Sequence, residues 1–123
     1  MAAHADLWGE IAPTVVRTPA SILREQGSLL GAKTNHMIEG EVETQISGSN
    51  FYHAFNLVVP SLDNYSYELF KIWHGINLYP VAFGYQSGEQ LASEEAFINW
   101  LGQMLSSAET KRIVGNLLAQ ANS

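Results

Sequence analysis

At 123 residues the chain has the length of one ordinary domain, enough to bury about two thirds of its unfolded surface around its own core. It contains no Cys, which excludes disulfides, thiolate zinc sites and thiol nucleophiles. Twelve carboxylates against six Lys and Arg give a net charge of −6, so the basic footprint of nucleic-acid binding is missing and an anionic membrane surface is disfavoured.

The start, MAAHADLWGE, has neither a basic stretch nor an apolar run, and the expectation is a cytoplasmic chain. No stretch approaches the ~18 consecutive apolar residues of a membrane span. Asp6 can cap a short helix through Ala12, with Leu7, Trp8 and Ile11 on one face, and Pro13 stops it. Thr18-Pro19 is a stronger start, with Thr as N-cap and Pro at the first helical position. The helix runs to about Lys33 with Ile22, Leu23, Leu29 and Leu30 on its apolar stripe. Gln26 interrupts that stripe and Gly27 follows. Glycine in mid-helix costs about 1 kcal/mol relative to Ala, so something is expected to approach this face closely.

The period then changes from 3.6 to 2. Met37–Ile46 alternates Ile38, Val42 and Ile46 with Glu39, Glu41 and Glu43, a half-buried strand with an acidic outer face. Ser47-Gly48-Ser49-Asn50 turns the chain into a second strand, Phe51–Val59. Pro60 to Asn64 forms the next loop, Tyr65–Trp73 the third strand, and Gly75-Ile76 a tight hairpin into a fourth, Leu78–Gln86. Pro80 lacks a ladder donor, which places the fourth strand at an edge. Ser93 caps a helix striped by Phe97, Ile98, Leu101, Met104 and Leu105. Ser106 with Glu109 reads as a capping box that opens a last helix. Short turns pair strands antiparallel, so the fold class is α+β: a four-stranded meander, order 1-2-3-4, between two N-terminal and two C-terminal helices.

The turn lengths pair Ile46 with Phe51, Val59 with Tyr65, Phe55 with Leu69, and Trp73 with Leu78. One face is then continuously apolar. On the other, Glu39, Glu41 and Glu43 stand at one side, with Phe70, Tyr79, Phe83 and Tyr85 at the other. Large groups of that kind need cover from the C-terminal helices or from a second subunit. With Tyr52 these residues are the interface candidates. Residues 36–106 hold eight carboxylates and only Lys71, which suits a basic protein partner.

Three clusters carry possible chemistry. Glu41, Asn56 and Glu68 fall in one cross-strand row, read as a solvated acidic edge or as a hard-cation or acid–base pair. His53, beside Thr44 and opposite Lys71, reads as a satisfied histidine at the end of a core or as a general acid–base group. A ligand pocket between sheet and helices would draw on His53, Lys71, Trp73, Gln26 and Tyr67. Histidine spacing offers no metal pair, and no nucleotide-loop or serine-elbow motif occurs, so no catalytic residue, metal or cofactor is assigned. The sequence thus favours a non-catalytic interaction module, self-associating as a homodimer through the outer sheet face or terminal helices. Small acidic immunity or antitoxin-like proteins fit that description by analogy alone. The alternative is a small-molecule binder or small enzyme with its pocket near His53.

Overall fold

The computed structural model describes residues 5–84 and 90–123. Helix α1 (Pro19–Lys33) leads into strands β1 (Glu39–Ser47), β2 (Asn50–Val59), β3 (Tyr65–His74), β4 (Val81–Phe83) and β5 (Gln90–Leu91). Helices α2 (Glu94–Leu105) and α3 (Ala108–Ala121) follow. The strands form one antiparallel sheet in the order β1-β2-β3-β4-β5. It has one strand more than the expected meander, and β5 rather than β4 is the edge.

Helix α1 begins where Thr18-Pro19 indicates, with the Thr18 hydroxyl accepting from the Ser21 N–H at 3.1 Å. The gap in its stripe is where β1 crosses. A Cβ on Gly27 would run into the Gly40 carbonyl, so the absence of a side chain lets helix and strand backbones touch. Asp6–Ala12, by contrast, forms no helix. Seven residues are too few to be helical without a surface to pack on, and Gly9, at φ +68°, weakens them further.

The register of β1 on β2 is the expected one: Ile46 faces Phe51 and Val42 faces Phe55. Val59 faces Tyr65, also as expected, but Phe55 faces Phe70 instead of Leu69. Leu69 is the extra residue of a bulge, and every side chain beyond it changes face. Phe70 and Ile72 therefore turn toward the helices, while Lys71 and Trp73 turn outward. The expected Gly75-Ile76 hairpin is replaced by a connection over 75–80, with Trp73 opposite Ala82. Pro80 cannot donate to a ladder, so pairing starts after it, at Val81. Gln86 and Tyr85 lie outside the described residues.

The helices share one face of the sheet. Ile22 and Leu23 of α1, Phe97 and Leu101 of α2, and Leu117 of α3 form one core with Phe55, Leu57, Val59, Ile72 and Val81. Phe70 and Phe83 are covered by Trp100 of α2, with ring centroids 5.2 Å and 4.8 Å away. Phe70 and Phe83, which needed cover, are thus covered by the chain itself. Between α2 and α3 the cap is one residue later than expected. Ser107 accepts from the Thr110 N–H, while Ser106 ends α2 with its hydroxyl on the Gly102 carbonyl. Ser106 still has a free helical turn to bond back to, which leaves the capping role to Ser107. No helix among the described residues is long and apolar enough to cross a membrane.

Candidate functional site

Two features stand out on the helix-covered face. The larger is a groove of about 740 Å³ between α1, the sheet and the α2–α3 elbow. Phe55, Leu57 and the bulged Leu69 make its floor; Leu29 and Leu30 line one wall, Leu105 and Val114 the other. Its size and apolar lining are those of a binding cleft. The elbow holds the far wall in place: buried Thr110 donates to the Met104 carbonyl at 2.8 Å and accepts from the Ser107 hydroxyl at 3.1 Å. Gly102, with open space where a Cβ would stand, leaves the α2 side unobstructed. Lys33, in the last turn of α1, and Lys111 on α3 are exposed at the rim. Neither has an ion-pair partner among the described residues, and no acidic residue lines the groove.

The second feature is a buried histidine pair where the helical cover ends. His53 Nε2 lies 3.0 Å from His74 Nε2, His53 Nδ1 lies 2.9 Å from the Thr44 hydroxyl, and His74 Nδ1 lies 2.8 Å from the Gly75 carbonyl. The carbonyl can only accept, so His74 Nδ1 donates. With both rings neutral, His53 donates to His74 and accepts from Thr44. One added proton is accommodated by reversing the inner bonds; a second would set two N–H groups against each other. His53 is accordingly pushed from 6.5 down to about 4, by burial first and then by the charges of His74 and Arg24. Hydroxyl, imidazole, imidazole is the order of a nucleophile, its base and an orienting group. A base that weak is poorly matched to work near neutrality, and neither Thr44 nor His53 lines the groove or any of three smaller cavities. The arrangement satisfies buried polar groups at the sheet's end.

The structure separates the five expected pocket residues. Gln26 lines the groove. His53 is in the histidine pair, opposite Ile72 instead of Lys71, because the bulge reverses β3. Lys71 is on the outer face with its Nζ 3.9 Å from a Glu68 carboxylate oxygen, and Trp73 stacks there on Tyr52 at 5.9 Å. Tyr67 keeps the helix-facing side but is exposed. The row Glu41, Asn56, Glu68 is aligned as expected. Beside it Glu43, Gln45, Tyr52 and Lys71 edge a small hollow of about 190 Å³. Among the described residues no three His, Cys, Asp or Glu side chains are grouped to hold a metal.

Of the interface candidates, Tyr52, Glu41 and Glu43 remain on the outer face. Glu39 turns back to α1, its carboxylate against Gly31 and 2.8 Å from His36 Nδ1. Phe70 and Phe83 are beneath α2. Tyr79 packs near Phe97 and donates its hydroxyl to the Arg17 carbonyl at 2.9 Å. Burial, then the Glu94 charge, pushes its phenol up to about 12 against the opposing influence of Arg17. Sequence reasoning missed the groove walls because Leu29, Leu105 and Val114 read as ordinary stripe residues. Only the helix placement shows that they do not meet.

No protein-family model, no curated protein and no solved structure matches the chain.

Proposed function

We propose that the chain is a non-catalytic binding module whose working surface is the groove between α1 and the α2–α3 elbow. The single observation behind this reading is an apolar cleft of about 740 Å³, open to solvent and edged by Lys33 and Lys111. An occupant that fits is amphipathic, with apolar groups for the floor and acidic groups for the rim, in the manner of a helix laid in a groove. The basic partner expected from the overall charge would have to use the opposite side, where Glu41 and Glu43 stand exposed beside Tyr52 and Trp73.

An anionic apolar dye, 1-anilinonaphthalene-8-sulfonate, tests the reading. Under native conditions its fluorescence should titrate saturably at one site per chain. The pair Leu29→Glu and Val114→Glu, with the circular dichroism spectrum intact, should weaken it by roughly tenfold or more, because each puts a charge in the apolar cleft. Dye binding that is unchanged in the variant, or absent even from chains whose groove is vacant, rejects the reading.

A further inference from the structure

A second apolar surface is unpartnered. Residues 5–16 form an arm that leaves the fold at Arg17. That root is fastened three ways: the Arg17 N–H donates to Glu94 at 3.1 Å, its guanidinium meets Glu25 at 3.0 Å, and its carbonyl accepts from Tyr79. Beyond it the arm makes one hydrogen bond among the described residues, a local one from the Trp8 N–H to Asp6. Leu7 is 92% exposed, Trp8 80% and Ile11 72%. Three large apolar side chains in such a short stretch are not expected to stay in water.

Arm and groove match in chemistry. Leu7, Trp8 and Ile11 have the spacing of one helix face, and a groove lined by Leu29, Leu105 and Val114 offers the surface that a seven-residue helix lacks by itself. The only charges from residue 5 to residue 16 are Asp6 and Glu10, both negative. The groove rim carries Lys33 and Lys111, with no acidic residue in the lining among the described residues. The chain's own arm, tethered at Arg17 and hence at high local concentration, nevertheless stands clear of its groove.

We propose that the groove receives the N-terminal arm of a second copy of this chain, and that two chains exchange arms reciprocally. Leu7, Trp8 and Ile11 enter the apolar cleft, and Asp6 and Glu10 face Lys33 and Lys111. The exchange removes six large apolar side chains from water per dimer and explains both unpartnered surfaces with one contact. It rests on the groove being a binding surface, as proposed above.

Charge reversal in full-length chains tests it. The wild-type chain should have twice its 13.5 kDa mass in solution at ~100 μM. A chain with Asp6→Lys and Glu10→Lys should be a monomer, as should one with Lys33→Glu and Lys111→Glu. Mixed, the two should form a heterodimer, since each arm then meets a groove of opposite charge. Trp8→Asp with Ile11→Asp should also give a monomer, with dye binding increased because its groove is vacated. A wild-type monomer, a dimer that survives the Trp8/Ile11 changes, or a mixture of the reversed chains that stays monomeric overturns the exchange. If dye still binds and the Leu29/Val114 variant abolishes it while no dimer forms, the groove stands and the arm is not its occupant. Loss of dye binding in every variant removes both readings.

Discussion

The two ends of the helix-covered sheet face solve the same problem differently. Toward the α2 end, Val59, Ile72 and Val81 pack with Phe97 and Leu101 in one apolar core. Toward the β1–β2 hairpin the helical cover stops, and the same alternation presents Thr44, His53 and His74. There the buried rings pack on each other and on Phe51, and a chain of hydrogen bonds satisfies their nitrogens. What the contrast teaches is that position in the pleat decides which way a side chain points. What covers it decides whether apolar or self-satisfied polar groups belong there.

Phe97→Ala should break the dry end most severely. The fully buried ring touches both Tyr79 and Trp100, and its removal is expected to lower unfolding free energy by about 3–5 kcal/mol in urea melts. A loss below about 1 kcal/mol would mean that the core closes over the gap, and the comparison would lose its dry half.

The polar end should respond to pH. The unfolded chain protonates His53 near 6.5, the folded chain only near 4, so the folded state loses by competition for that proton. Its contribution is whole above pH 6.5 and declines as pH falls toward 4. The full shift corresponds to about 3 kcal/mol, and solvent screening at the sheet's end reduces this to about 2. Urea melts of wild type and His53→Gln at pH 7 and pH 4.5 isolate the effect. Parallel losses in the two proteins would show that His53 is not the group responsible.

The smallest change sharpens the same end. Thr44→Val leaves His53 Nδ1 without its donor at an exposed strand position, where water can replace the hydroxyl. The expected cost is about 1 kcal/mol above pH 6.5. Melts at pH 7 should place this variant between wild type and Phe97→Ala; a cost equal to that of Phe97→Ala would mean that the histidine chain carries the fold.

Much of the fold was legible because its signals are local. Thr18-Pro19 sets the start of α1 through one hydroxyl and one fixed φ, and Gly27 announces the backbone of β1 at Gly40. The β1–β2 register follows from a short turn and an alternating strand. The candidate site was much less legible. One bulged residue, Leu69, sends Lys71 and Trp73 to the outer face and Phe70 to the core, dispersing the expected pocket and the expected aromatic interface together. A bulge leaves no mark in an alternation pattern that reads equally well one residue out of step.

The α+β class, the antiparallel order of the meander, the start of α1 and the register of β1 on β2 were legible in the sequence, because each depends on neighbours within a few residues. Which face Phe70 and Phe83 occupy, how His53 finds His74, and the separation of Leu29 from Val114 across a groove came from the three-dimensional packing alone. Those outcomes depend on where whole elements come to rest, and the tertiary packing that places them is distributed over residues far apart in the chain.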